Sequence, residues 1–475
     1  MLILSLAYFT AFFPHADDPY PLHLDEWEHL VWSQTLIEEG STTFPNAFKE
    51  SEIMKLGTDL YIGYHLFIGV LRSITGISTI DVVRYIPGVL FMLTILAVYI
   101  FGKREGFGLE SALLTLLIPT SIGILGPAFM VPVAMSLGFI PLSMFLAFNF
   151  RTVWSYVIIA VFVVFLLLVH PPSAVCLVLI LGPYALLNVK RNIHHTIGLV
   201  AALSSGFLIT LPWSLPVAID FGGRALEFTQ LPTYVSLPPL FATYGYVPIG
   251  IALLGVFILA FKGDIKSYGL VLGMLLILLM LVSMFVSGYG IKILYFRGLM
   301  YLMLLIGIVA GAGLVWLSNV SLHESILKRV VFPTVWRRAG LILSLLLAVL
   351  TFSVAIPERL ETKYYHMIDD IDYEAFTWIN GNLDDDYGLA VLEPWKGTAF
   401  VAIARKRVLT RIGAYPVSID QQVKRFLDGG CRDTAFLTDR GISIVYTRKS
   451  CDNPELIQVK ENVYVLEIGS GSTEH

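Results

Sequence analysis

The sequence predicts a mainly α polytopic membrane protein of about 11 transmembrane helices, followed by a soluble α/β domain at the C-terminal end. Three observations carry that expectation. The 475 residues are 56% hydrophobic and only 14% charged, which excludes a water-soluble globular chain. Apolar segments of spanning length recur near 83–102, 107–125, 129–149, 152–169, 172–188, 196–219, 246–261, 268–287, 296–317 and 339–356. From about Arg359 the composition turns polar and strand-like runs appear.

Met1 to Phe13 makes a further apolar segment. As a helix it reaches roughly 20 Å against a hydrocarbon core of about 30 Å, and it lacks the basic flank of a signal peptide. A start a few residues further upstream is therefore expected. The segment Leu60 to Ile77 is apolar enough to pass for another span, and counting it would invert everything after it. If it does not cross, Lys103, Arg104, Arg151, Lys190, Arg191, Lys262, Lys266, Lys328, Arg329, Arg337 and Arg338 all fall on one side. The opposite short loops then hold only Arg224, Lys292 and Arg297. That asymmetry satisfies the positive-inside rule, so residues 15–82 are read as one large outer loop with 60–77 a helix lying along or dipping into the interface.

The expected division is thus a membrane domain over 1–358, including that loop, and an extracytoplasmic α/β domain over 359–475. The tail is long enough for one compact core. Its pattern predicts helices at 373–382 and 419–427 and strands near 389–392, 442–447 and 463–466. No internal repeat and no low-complexity run is present.

A net charge of −4 with no basic run gives nothing for nucleic acid to bind. Membrane lipids and lipid-linked molecules are the expected partners. Of the three cysteines, Cys176 lies in an apolar run, while Cys431 and Cys451 lie in the tail and fit no metal-ligand spacing. Outside the cytoplasm those two could form a bridge, closing a loop of about 20 residues and adding roughly 3 kcal/mol; two free thiols are the equal alternative.

The most informative stretch is His23-Leu24-Asp25-Glu26-Trp27-Glu28-His29-Leu30, which sets adjacent carboxylates just after the first apolar segment. A helix is expected from Asp25 to Gly40, amphipathic and interfacial. Asp25 as N-cap with Glu28 three residues on would be a capping box, which explains the acids without any chemistry. Asp17 and Asp18, among Pro14, Pro19 and Pro21, read as a solvated turn. His65 reads as structural.

The order of motifs suggests more. Asp25-Glu26-Trp27-Glu28-His29, followed by a helix closing on Glu39-Gly40, is similar to the first-loop motif D-E-x-x-[YH] of the GT-C glycosyltransferases. Asp81-Val82-Val83-Arg84-Tyr85-Ile86-Pro87, then a span ending Phe101-Gly102-Lys103-Arg104, resembles a passage of the aminoarabinose-lipid A transferases and protein O-mannosyltransferases. The tail opening Tyr373-Glu374-Ala375-Phe376-Thr377-Trp378-Ile379, with Trp395-Lys396-Gly397 and Arg407, resembles the outer domain of prokaryotic relatives of oligosaccharyltransferase catalytic subunits.

The resemblance implies a prokaryotic plasma-membrane transferase that moves a sugar from a polyprenyl-phosphate carrier to a lipid, glycan or protein acceptor at the outer face. Asp25 would be the general base on the acceptor hydroxyl, with inversion, and Glu26 would position a substrate. The leaving phosphate needs fixed cations or donors. Arg297 and Lys292 in Lys292-Ile293-Leu294-Tyr295-Phe296-Arg297 are best placed, with Arg84, His29 and His170 as further substrate contacts. Arg84 and Lys292 serve equally well as headgroup anchors, and His170 in His170-Pro171-Pro172 equally well as a helix terminator.

Two oligosaccharyltransferase features are missing from the sequence. Where those subunits carry a second acidic metal site, this chain has Gly126-Pro127-Ala128-Phe129-Met130; in place of their Trp-Trp-Asp motif it has Glu393-Pro394-Trp395-Lys396. No essential metal or other cofactor is expected, nor transfer of an oligosaccharide to asparagine. Asn319-Val320-Ser321 has a sequon's spelling on the cytoplasmic side. The loop from Asp220 to Tyr246 is either a lid or a plain outer loop. The competing functions are a transporter or flippase of lipid-linked saccharides, disfavoured by the scarcity of mid-depth ionisable residues, and an inactive scaffold, disfavoured by the intact Asp25-Glu26 pair.

Overall fold

The computed structural model describes residues 1–48, 53–54, 59–118, 126–226, 243–320, 338–361, 366–384, 386–411 and 417–466. In chain order the apolar part contains α1 (Leu2–Phe12), α2 (Leu24–Glu39), α3 (Ile62–Thr75), α4 (Thr79–Glu105), α5 (Gly108–Leu117), α6 (Pro132–Ser136) and α7 (Phe139–Asn149). It continues with α8 (Val153–Val169), α9 (Pro171–Asn188), α10 (Ile193–Leu226), α11 (Tyr246–Lys262), α12 (Ile265–Ser287), α13 (Lys292–Asn319) and α14 (Ala339–Glu361). Every one of the predicted apolar segments contains a helix among the described residues, although only Gly108–Leu117 of 107–125 is described as helix. Among the described residues, 7 helices or continuous helical stretches are long and apolar enough to cross a membrane. Helices α5, α8 and α11 fall on expected spans but run only 10 to 17 residues. The expected span at 129–149 is divided into α6 and α7 at Leu137-Gly138.

Helix α3 occupies the ambiguous segment. Its 14 residues reach only about 21 Å, too short to cross, and Leu66, Phe67, Val70 and Ile74 leave an apolar face exposed. That is the pattern of a helix lying along a membrane surface.

The chain divides into two compact units: Met1–Phe13, Gly57–Tyr64 and Tyr85–Lys363 in one, and Pro14–Leu56, His65–Arg84 and Tyr364–His475 in the other. Most of the first outer loop is therefore grouped with the tail, although the linear pattern suggests a division at 358.

The first unit is a helical bundle around α13, whose membrane window is 94% buried. Small residues let its neighbours approach. A Cβ on Gly311 would lie 2.1 Å from Ser111 Oγ of α5, and one on Gly255 of α11 would lie 2.0 Å from the Val309 carbonyl of α13. Ser111 Oγ also donates to the Ile308 carbonyl at 2.9 Å. Inside a bilayer, where apolar burial between helices gives little, close backbone approach and interhelical hydrogen bonds hold such a bundle. Gly311→Val should therefore lower the thermal stability of the detergent-solubilised protein by roughly 1–3 kcal/mol or prevent folding, read from a size-exclusion melting curve. An unchanged curve would mean that α5 and α13 do not pack this way.

In the second unit, five strands run in the order β4-β3-β5-β7-β6. They are β3 (Leu389–Val391), β4 (Arg407–Val408), β5 (Ile444–Tyr446), β6 (Leu456–Lys460) and β7 (Val463–Leu466), and β1 (Phe44–Pro45) pairs with β2 (Ile53–Met54) in the first loop. Strand β3 is parallel to β4 and β5, and β7 is antiparallel to β5 and β6. The tail helices are α15 (Asp370–Asn382), α16 (Gly397–Ala404) and α17 (Ser418–Asp428), with a short turn of helix, Thr434–Thr438, before β5. Phe376 of α15 meets Phe400 of α16 edge-on at 5.1 Å and Tyr446 of β5 at 4.9 Å, so helices and sheet share one core.

Helix α15 starts earlier than the sequence pattern suggests. Asp369 caps it, accepting from the Ile371 and Asp372 amides, and Asp372 reaches back to the Asp369 amide. Asp372, 1% exposed, also receives Lys396 Nζ at 2.7 and 2.8 Å, Tyr446 Oη at 2.5 Å and Arg448 Nη2 at 2.8 Å. A buried carboxylate so surrounded fixes the start of α15 to the sheet. The Arg448 guanidinium, paired with Asp369, holds that carboxyl well below its usual range.

Candidate active site

Helix α2 presents the acidic motif, and its start differs from the expected one. The N-cap is His23, not Asp25: His23 Nδ1 accepts the Asp25 amide at 3.1 Å. Glu26 is the reciprocal partner, its Oε2 accepting the Leu22 amide at 2.9 Å and the His23 amide at 3.1 Å. The capping box is thus His23 with Glu26, two residues ahead of the expected Asp25 with Glu28. Gly40, at φ 58°, closes the helix in the left-handed conformation that glycine adopts freely.

The shift changes what each acid does. Glu26 is fully buried and its carboxylate orders the turn into α2. Asp25 occupies the second helical position with its side chain 27% exposed. Because His23 Nδ1 accepts the Asp25 amide, that nitrogen carries no proton. Its 3.4 Å approach to Asp25 Oδ1 is then a contact with neutral imidazole rather than an ion pair.

Around the motif, His29 Nδ1 and His65 Nε2 are 2.9 Å apart, both buried. One ring must donate and the other accept, so His65 orients His29. Gly69 of α3 leaves room for Ile37 of α2, since a Cβ there would lie 2.3 Å from Ile37 Cγ1. Arg84 donates to the Ala16 carbonyl at 3.1 Å, tying α4 to the segment ahead of the motif. Asp18 is not merely solvated: its Oδ1 accepts the Tyr20 amide at 2.9 Å and its Oδ2 lies 2.5 Å from His366 Nδ1.

In the first unit a second set gathers where α8 ends, α9 begins and α13 opens. His170 is both the C-cap of α8 and the N-cap of α9, with Pro171 at the first helical position. Its Nδ1 is 2.5 Å from Ser173 Oγ, which in turn is hydrogen-bonded to Tyr301 Oη of α13, and Tyr61 stacks on the imidazole at 5.7 Å. Arg297, 9% exposed, lies one helical turn before Tyr301, and its charge acts on both His170 and Tyr301. Lys292 opens α13, but its side chain lies outside the described residues.

One proton order available to these groups fixes the His170 tautomer. Tyr301 donates to Ser173 and Ser173 donates to His170 Nδ1, which leaves the imidazole proton on Nε2. His170 Nε2 is buried and has no hydrogen-bond partner among the described residues. The result is a fixed N–H donor beside a buried guanidinium, an arrangement suited to an oxyanion.

Sequence reasoning named His170 and Arg297 but missed Ser173, Tyr301 and Tyr61. Ser173 sits three residues after His170 at a helix start, and Tyr301 four residues after Arg297 on one face of a helix; those spacings were the available signals. Among the described residues no three His, Cys, Asp or Glu side chains are placed to hold a metal ion, and Glu26 is committed to two amides. The expected lid lies largely in 227–242, outside the described residues.

Neither a protein-family model nor a curated protein sequence matches the chain. Solved structures do. The archaeal oligosaccharyltransferase AglB from Archaeoglobus fulgidus, in complex with an inhibitory peptide and a dolichol-phosphate, superposes over 94% of this chain and 68% of its own, at TM-score 0.63 and 11% identity. ArnT from Cupriavidus metallidurans, bound to undecaprenyl phosphate, matches over 99% of this chain and 98% of its own, at TM-score 0.58 and 13% identity. The arabinofuranosyltransferase AftD from Mycobacteria matches over 100% of this chain and 40% of its own, at TM-score 0.58 and 14% identity.

The fold is GT-C-like. A GT-C-like chain with this many apolar helices is an integral membrane protein, and the agreement of fold across nearly the whole chain despite such low identity shows that helix order and packing, rather than individual residues, are what is shared.

Proposed function

We propose that this chain is an inverting membrane glycosyltransferase that moves a sugar from a polyprenyl-phosphate carrier to an acceptor hydroxyl at the non-cytoplasmic face. The observation that carries the reading is the placement of the acids at the start of α2: Glu26 and His23 supply the cap, and the Asp25 carboxylate stands partly exposed at the second helical position, where it can act as a base. The fold supports it, because ArnT and AglB of the same fold have been captured with undecaprenyl phosphate and a dolichol-phosphate. In the proposed step the acceptor oxygen attacks the anomeric carbon as Asp25 removes its proton, and the bond from that carbon to the phosphate oxygen breaks with its electron pair staying on the phosphate. Arg297 and the Nε2–H of His170 hold the departing polyprenyl phosphate. The proposed transfer uses no metal ion. The test is transfer from a polyprenyl-phosphate sugar by purified protein, compared between the parent chain and Asp25→Asn.

The same orientation places the tail outside the cytoplasm, where Cys431 and Cys451 would pair. Both thiols are free in the structure and lie within hydrogen-bonding reach of each other. Their segments are already fastened: the Asp452 amide donates to Gly430 at 2.8 Å, Asn453 Nδ2 to the Cys431 carbonyl at 2.8 Å, and Arg432 pairs with Asp452 at 2.9 Å. Burial and the neighbouring thiol push the Cys431 pKa up, so pairing depends on exchange with an oxidised dithiol: two thiols become one disulfide and the oxidant leaves as two thiols. Maleimide labelling of protein taken from its native membrane and unfolded without reductant should modify only Cys176. Labelling of all three cysteines would contradict the bridge.

A further inference from the structure

The tail and the first outer loop form one unit, and the loop segment that carries Asp25 is fastened to the tail at both of its ends. Ahead of the motif, Tyr20, only 7% exposed, donates its hydroxyl to Asp370 Oδ1 at 2.7 Å and packs its ring on Tyr373 at 5.0 Å. Asp18 meets His366 in the same place. Beyond the motif, Arg405 at the C-terminal end of α16 donates to Gln34 Oε1 at 3.3 Å and pairs with Glu38, both on the outer turns of α2. Arg405 adopts a left-handed backbone, φ 59°, which turns the chain at the end of α16.

The tail partners are themselves fixed. Asp370 is the first residue of α15, whose capping residue and third residue are tied to Lys396, Tyr446 and Arg448. Helix α16 is buried along almost its whole length. Tyr20 is only five residues from Asp25, and the intervening Leu22 and His23 amides are both held by Glu26. A displacement of Tyr20 therefore has little slack to absorb it before it reaches the carboxylate.

We propose that the tail domain is a positioning device for the base: through Tyr20–Asp370 on one side and Arg405–Glu38/Gln34 on the other, it sets the place and pitch of the first turn of α2. Tyr20, Asp370 and Arg405 are positioning residues, since they act on substrate through Asp25 alone. This goes beyond the glycosyltransferase reading but rests on it for its catalytic consequence. A base displaced by an ångström loses about a hundredfold in rate, whereas substrate binding to groups elsewhere is untouched.

Two independent readouts test it in the full-length protein in nanodiscs. Amide hydrogen exchange needs no substrate: in Tyr20→Phe combined with Arg405→Gln, peptides covering residues 22–28 should exchange about tenfold faster or more, while peptides from α15 and α16 stay as in the parent. In transfer assays the same protein should lose about tenfold or more in kcat with the donor KM unchanged, and Arg405→Lys should recover most of the loss due to Arg405→Gln. Unchanged exchange at 22–28 overturns the proposal, whatever the activity. Faster exchange with full kcat overturns the positioning role alone. A parent protein without transfer activity would sink the glycosyltransferase reading, and the exchange result would still decide whether the tail orders α2.

Discussion

Asp25→Asn removes transfer, lowering kcat by about 10²–10⁴-fold while leaving donor binding and folding intact. The substitution keeps shape and most hydrogen-bonding capacity but cannot take a proton from the acceptor. Folding should be spared because the cap is made by His23 Nδ1 and Glu26 Oε2, which the substitution leaves in place. Glu26→Gln is the contrasting variant. An amide oxygen can accept the Leu22 and His23 amides less strongly than a carboxylate, so its effect should appear in the melting curve as well as in the rate, by about 1–2 kcal/mol. A pair of variants in which Asp25→Asn is active and Glu26→Gln is dead would reverse the proposed roles. The measurement is initial-rate transfer of labelled sugar beside a melt of each protein.

Arg297→Gln lowers the rate by about 10²–10³-fold, through loss of charge stabilisation on the departing phosphate. The guanidinium is 9% exposed, so its attraction for an anion is weakly screened, and His170 Nε2–H is the second donor. Arg297→Lys restores charge without the planar fork and should recover part of the loss. His170→Ala should be milder, since a neutral hydrogen bond is worth less than a charged one. The defect should also appear as weaker binding of the released product, undecaprenyl phosphate or dolichyl phosphate, to detergent-solubilised protein. Parent-like binding and rate in Arg297→Gln would place the phosphate elsewhere.

Much of the helical architecture was legible because a bilayer permits few solutions, so long apolar runs become helices. That α3 is too short to cross was legible in the same way, from the length of its apolar run. The start of α2 was misplaced by two residues because Asp25–Glu28 and His23–Glu26 both satisfy the capping spacing, and Asp is the commoner cap. Only the fold of Leu22 and His23 back onto Glu26 decides between them. Strand β4 has two residues and β6 lies on a largely exposed edge, so neither gives an alternating signal, while the buried run of α16 has no face to distinguish helix from strand.

The charged residues proposed to act in transfer are visible in the sequence, and the residues around them are not. Asp25, Arg297 and His170 stand out as polar groups near apolar segments, but Tyr301 and Tyr61 look like ordinary aromatic residues until the helices are packed. The attachment of the first loop to the tail was invisible, because Asp18 and His366 are separated by 348 positions and Tyr20 and Asp370 by 350, and no local rule relates them.

The most direct test is a structure of Asp25→Asn bound to a polyprenyl-phosphate sugar in a lipid nanodisc. The phosphate should lie within hydrogen-bonding distance of Arg297 and His170 Nε2, with the anomeric carbon opening onto a space between it and residue 25 large enough for an acceptor hydroxyl. A phosphate bound away from Arg297, or a residue 25 facing a different compartment from the sugar, would contradict glycosyl transfer at this site.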